Sequence, residues 1–218
     1  MSSLPKRLAA EFIGTALLLA TVVGSGIMGE RLAGGNAAIA LLANAIATGA
    51  VLYALISALG PVSGAHFNPL VTLSEVMFGR LEARPASAYV VTQVVAALAG
   101  VLIAHAMFEL PAFFPSQHVR SGSAQLFSEA VATFGLLLVI FQCARHKPGS
   151  IPAAVGLYIT AAYWFTASTS FANPAVTIAR SITDTFSGIR PVDVPGFIGA
   201  QFVGALLAVL LYRWLAPD

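Results

Sequence analysis

The strongest constraint on this chain is a short polar interruption that occurs twice. "HFNPLVTL" occupies His66–Leu73, and "SFANPAVTIAR" occupies Ser170–Arg180 about a hundred residues later. Each sets Asn-Pro in a markedly apolar neighbourhood and leads into an apolar stretch of about ten residues, near Pro69–Phe78 and Pro174–Thr183. A helix needs about 20 apolar residues to cross a bilayer. These stretches therefore read as half-helices that enter a membrane and leave on the same side. Proline suits the first helical position, where no backbone donor is needed, and the Asn before it acts as the cap. A single Asn-Pro reads most simply as a turn in a buried loop. Two at matching places argue for a chain built twice from one plan.

Composition supports a membrane as the solvent. Of 218 residues 58% are hydrophobic and 9% charged, against roughly 25% charged in soluble domains, and mean hydropathy is +0.85. Six segments are long enough to cross, at about 8–28, 37–60, 86–108, 125–144, 150–168 and 195–215. The first follows a basic pair, as in a signal peptide, but no small-residue cleavage site follows, so it reads as a retained spanning helix. Cys143 has no second cysteine to pair with, and His105, His118 and His146 have no metal-ligand spacing. The net charge of +2 is too small and dispersed to suggest nucleic-acid binding. No nucleophile, base and orienter grouping and no phosphate loop is present. Neither enzyme chemistry nor a cofactor is expected.

The duplication extends beyond the Asn-Pro motifs. Glu11 and Thr15 near the start of the first segment match Glu129 and Thr133 in the fourth, and "TQVVAALAG" (Thr92–Gly100) is echoed by "AQFVGALLA" (Ala200–Ala208). Three crossings plus a half-helix per repeat, over about 1–115 and 120–218, force the second copy to be inverted. The expected architecture is an all-α membrane protein of six transmembrane helices and two re-entrant half-helices, forming one channel domain over 1–218. With the N-terminus inside, Lys6, Arg7, Arg80, Arg84, Arg145, Lys147 and Arg213 are cytoplasmic, against Arg31, Arg120, Arg180 and Arg190 outside. Seven against four places both termini in the cytoplasm.

Inverted half-helices meeting by their N-termini would each bring about half a positive charge to the bilayer centre. Such a point opposes cations and protons, while the Asn68 and Asn173 amides donate to a passing neutral molecule. The non-helical backbone before them, Gly64–Phe67 and Ser168–Ala172, is tolerable at that depth only if it lines a wet cavity or is buried in protein. Its carbonyls would form a ladder of acceptors.

These stretches, with "AEFIGT", "SEAVATFG" and the Gln93 and Gln201 segments, resemble the aquaporin or major intrinsic protein family over nearly the whole chain. The resemblance implies a homotetrameric set of independent pores in the inner (plasma) membrane, passing water or small neutral solutes passively. It implies a pore midplane of Asn68, Pro69, Leu70, Asn173, Pro174 and Ala175, with His66 and Phe67 lining the pore. Glu11 and Glu129 would brace the two re-entrant loops rather than relay protons.

The chain departs from that pattern in three places. Leu70 stands where the family usually has Ala, and could either reshape the constriction or pack away from it. Val176 stands where an arginine usually forms the outer selectivity filter. Thr48 falls at the second-helix filter position, with Phe171 and Ala172 beside it; the fifth-helix position is Tyr163 by alignment of "VGLYITAAYWF" or Ala161 by counting back from Asn173. Losing a guanidinium removes a fixed charge and five donors, and widens the constriction. The expected solutes are therefore glycerol, urea and metalloid hydroxides such as arsenite in its uncharged form, along with water. A water-selective pore and, in another class, a secondary active transporter are the alternatives. Arg180, four residues after Val176, either repels cations in the outer vestibule or interacts with the half-helix C-terminus; the second role is favoured.

Overall fold

A computed structural model describes residues 2–215. Its eight α-helices are α1 (Leu4–Leu32), α2 (Ala37–Ser63), α3 (Pro69–Met77), α4 (Ala83–Met107), α5 (Ser123–His146), α6 (Ile151–Phe165), α7 (Pro174–Arg180) and α8 (Val194–Trp214). Short 3-10 turns at Pro148–Ser150 and Pro191–Asp193 lead into α6 and α8.

Local chemistry sets the boundaries. The Asn36 side chain accepts from the N–H groups of Ala38 and Ile39 and opens α2, and Gly64, at φ 90°, ends it. A left-handed residue at that place is the usual glycine stop. Asn68 and Asn173 cap α3 and α7 by accepting from Leu70 N and from Ala175 N and Val176 N, with proline first in each helix. Both half-helices are shorter than the sequence suggested, since they stop at Met77 and Arg180.

Five helices, namely α1, α2, α4, α5 and α8 with its leading turn, are long and apolar enough to cross a membrane. The remaining crossing segment, α6, has 15 residues and rises about 22 Å. It was expected to continue to residue 168. It stops at Phe165 because Thr166 turns to extended backbone and both its N–H and its Oγ1 donate to the Ala162 carbonyl.

The helices pair in corresponding ways within the two halves, α1 against α4 and α5 against α8, and α2 packs on α6 to join them. Glycine permits the closest approaches: a Cβ at Gly100 would collide with the Ala16 carbonyl, and one at Gly204 with the Ala130 carbonyl. Each half-helix is held by α4 and α8 together. Large apolar side chains such as Ile13, Leu17, Ile46, Val95, Phe202 and Leu210 face outward, whereas Glu11, Asn44, Gln93, Glu129 and Gln201 are sealed inside. That distribution suits a lipid solvent, in which intramembrane polar groups turn towards the protein interior.

The linker between the halves straps the end of α7. Phe114 N and Ser116 N donate to the carbonyls of Ile182 and Ser181, and Arg190 N to that of His118. Gln117 N and Arg120 N donate to the carboxylates of Asp184 and Asp193.

Candidate functional site: a paired-loop pore

The two loops before the half-helices have the same unusual backbone. Ala65 and Phe67, third and first before Asn68, lie at φ 49° and 48°; Ser170 and Ala172, third and first before Asn173, lie at 52° and 48°. A non-glycine residue in the left-handed region is strained by about 1 kcal/mol or more and persists only where its surroundings enforce it.

Two buried carboxylates enforce it. Glu11 Oε1 accepts from Ser63 Oγ and His66 N, and its Oε2 from Phe67 N and Gln93 Nε2, at 2.7–2.9 Å. Glu129 accepts from Phe171 N on Oε1 and from Ala172 N and Gln201 Nε2 on Oε2. Each glutamine also donates to the threonine four residues after the Asn, Gln93 to Thr72 and Gln201 to Thr177, and each threonine hydroxyl donates to its Asn carbonyl. The Phe67 ring fits only because Gly14 has no Cβ to meet it.

The two Asn side chains then lock the halves together. Asn68 Nδ2 donates to the Ala172 carbonyl and Asn173 Nδ2 to the Phe67 carbonyl, both at 2.8 Å. An amide nitrogen carries two hydrogens. One on each side is thus left for a molecule in the pore, between two helix N-termini that repel positive charge.

A cavity of about 280 Å³ passes this point. Both Asn, His66, Phe67, Phe171 and Ala172 line it, with a wall of apolar side chains including Leu18, Val22, Leu52, Leu136 and Ile159. At one end, Glu75 and Arg80 are shared with a second cavity reaching Ser2, Arg7 and Gly60. At the other, Arg180 is shared with a third cavity lined by Glu30, Asn44, His118, Arg120, Thr169 and Phe186. The second and third cavities thus adjoin the first at these shared residues.

Near the Arg180 end, Thr48, Tyr163, Phe171 and Val176 line the wall, and Thr48 Oγ1 lies 3.3 Å from the Tyr163 hydroxyl. Ala161, the other reading for the fifth-helix position, is exposed on the outside of α6. Leu70 does not line the cavity; it packs in a cluster with Leu137, Phe141 and Val209. Pro69, Pro174 and Ala175 are buried in the helix starts behind the Asn pair and likewise lie off the cavity wall. His66 Nδ1 is 3.0 Å from Thr72 Oγ1.

Arg180 lies in the last turn of α7, where the favoured sequence reading puts it. Its Nε donates to the Ser187 carbonyl, and the guanidinium carbon lies 3.4 Å from the Phe171 ring centroid. Arg120 reaches the same ring from the linker, at 5.0 Å. Burial lowers the pKa of Arg120, with Glu129 opposing the shift. Sequence reasoning left Arg120 without a role, because the linker has no counterpart in the first half. It also gave Thr72, Thr177 and Ser63 none, although the threonines recur four residues after each Asn.

Residues 1–171 match the family described as "Major intrinsic protein". The chain is 57% identical to aquaglyceroporin AqpS of Rhizobium meliloti (strain 1021) over 212 residues, covering 97% of this chain and 91% of that one. It is 31% identical over 250 residues to the probable aquaporin AqpM of Archaeoglobus fulgidus, covering 99% of both. Its fold resembles the X-ray structure of the aquaglyceroporin from Plasmodium falciparum at TM-score 0.72 and 20% identity, covering 97% of this chain and 95% of that one. The chain belongs to the major intrinsic protein family, whose members are membrane channels rather than enzymes.

Proposed function

We propose that the chain passes small uncharged solutes, namely glycerol, urea and metalloid hydroxides such as arsenous acid, together with water, by diffusion down their gradients. One observation supports the solute range: Thr48, Tyr163 and Val176 line the cavity together, and Val176 brings an isopropyl group at the sequence position where the family usually has its filter arginine. A guanidinium there would occupy the passage and hold water by several donors. Val and Thr leave a wider opening with an apolar side, suited to a polyol's carbon chain as well as its hydroxyls. Phe171 and Ala172 lie beside this Thr48–Tyr163–Val176 ring. The kinship with an aquaglyceroporin supports the same reading.

The Asn68 and Asn173 amides act as midplane donors, and Glu11 and Glu129 brace the loops. The repeats, about 1–115 and 120–218, function as one channel unit. The functional assembly is a homotetramer in the inner (plasma) membrane with both termini cytoplasmic. Cross-linking of the detergent-solubilised protein that stops at dimers would refute the tetramer. Protease access to an N-terminal tag from the outside of intact cells would refute the topology.

The solute range is tested by stopped-flow light scattering on proteoliposomes in water, glycerol, urea and arsenous acid gradients. Glycerol and arsenous acid permeation well above that of empty vesicles is expected. Water permeation alone would reject the reading in favour of a water-selective pore. Unchanged flux after an uncoupler or sodium removal is expected of a channel.

A further inference from the structure

Arg120 and Arg180 stand at the outer end of the pore without an ion-pair partner. Among the described residues the ion pairs are Glu75–Arg80 and Arg190–Asp193, and neither of these two arginines belongs to one. The nearby Glu129 carboxylate accepts from Phe171 N, Ala172 N and Gln201, and Glu30 lines the same outer cavity without an ion pair to either arginine. Both guanidiniums are instead held by neutral groups. Arg180, 1% exposed, has the Ser187 carbonyl at Nε. Arg120 has the Gly188 carbonyl at Nε (2.7 Å), and the Ser168 carbonyl and Thr169 Oγ1 at Nη1 (3.2 and 3.4 Å). The Phe171 ring lies against both.

Carbonyls and an aromatic face orient a guanidinium but do not neutralise it, and an unpaired buried charge is costly. Each guanidinium has five N–H donors. Both terminal nitrogens of Arg180 and Nη2 of Arg120 have no protein hydrogen-bond partner among the described residues. Both arginines line the outer cavity of about 380 Å³.

The arginines are also firmly placed. Ser187, whose carbonyl orients Arg180, continues a buried chain in which Thr185 Oγ1 is 3.4 Å from Ser187 Oγ and 3.1 Å from Thr183 Oγ1. His105 Nε2 lies 2.8 Å from Thr183 Oγ1 and Nδ1 lies 3.0 Å from the Ala112 carbonyl, anchoring that chain to α4 and the linker. A planar fork of donors held rigidly matches the oxygens of an oxyanion.

We propose that Arg120 and Arg180 form a binding site for a small free oxyanion at the outer mouth, and that an occupied site stops solutes from reaching the filter. The anion bridges the terminal nitrogens of Arg180 and Nη2 of Arg120. Because Arg180 also lines the pore, the bound anion stands directly over the Thr48–Tyr163–Val176 ring.

Binding is read on the purified full-length protein in detergent, by thermal unfolding and calorimetric titration with sodium sulfate, against sodium chloride at equal ionic strength. Sulfate should raise the unfolding temperature saturably, as a ligand of the native state does, and chloride should not. Arg180→Gln and Arg120→Gln should each weaken sulfate binding at least tenfold. Arg84→Gln, which removes an exposed arginine at the start of α4, should leave it unchanged. If Arg180→Gln does not fold, Arg180→Lys, which keeps the charge and loses the fork, should still lower affinity several-fold. Equal effects of sulfate and chloride, or wild-type binding in Arg120→Gln and either Arg180 variant, would overturn the proposal. The blocking role rests on the solute reading: external sulfate should slow glycerol entry into proteoliposomes in the wild type but not in Arg120→Gln. Sulfate binding without an effect on glycerol flux would overturn the block. Absence of wild-type glycerol flux would defeat the solute reading instead, leaving the titration to judge the site.

Discussion

At the scale of single residues, buried carboxylates and amides do the structural work that permits a pore. Glu129 is the acceptor for Phe171 N, Ala172 N and Gln201 Nε2, and a buried donor left without its acceptor costs about 1–3 kcal/mol. Glu129→Ala therefore should destabilise the protein by several kcal/mol and lower its unfolding temperature in detergent, more than Leu70→Ala does. Leu70→Ala opens a hole among Leu137, Phe141 and Val209, and such truncations cost about 2–5 kcal/mol. Because Leu70 lies off the cavity wall, the order of solute permeabilities should survive; a changed order in proteoliposome swelling would place it in the constriction after all. The carboxylates were legible because each recurs at the start of a repeat. The direction of the Leu70 side chain was not, since an apolar residue beside the pore and one behind it look the same in sequence. Arg120 was illegible for a different reason: its contact with Phe171 is made across the fold by a linker that has no twin.

At the scale of elements, the fold depends on helices that approach closely and on half-helices that stop early. Gly204 brings α8 against the Ala130 carbonyl of α5, so Gly204→Val should force these helices apart. Its expected result is aggregation or loss of monodisperse protein in size-exclusion chromatography, whereas Gly199→Val, where a Cβ meets nothing within 4 Å, should behave as wild type. Helix existence and order followed from apolar runs and from Asn-Pro, but several ends did not. Hydropathy carried α6 to residue 168, whereas Thr166 turns the chain by returning both its donors to Ala162. Hydropathy likewise carried α7 to Thr183, whose hydroxyl is instead engaged by His105 and Thr185. Such endings are set by tertiary hydrogen bonds, which no local window of sequence contains.

At the scale of the whole molecule, two half-chains meet at Asn68 and Asn173 and exchange one hydrogen bond each way. The exchange fixes the midplane. In the proposed function, selectivity among neutral molecules falls to the Thr48–Tyr163–Val176 ring toward the Arg180 end of the cavity, and cation rejection to the half-helix termini. The most direct measurement of this division is the glycerol-to-water permeability ratio of proteoliposomes containing the wild type and Val176→Arg, with protein amounts matched. The substitution places a guanidinium in the ring and should lower that ratio at least tenfold while water still passes. An unchanged ratio in a folded Val176→Arg protein would contradict the claim that the ring at Val176 sets which solutes pass.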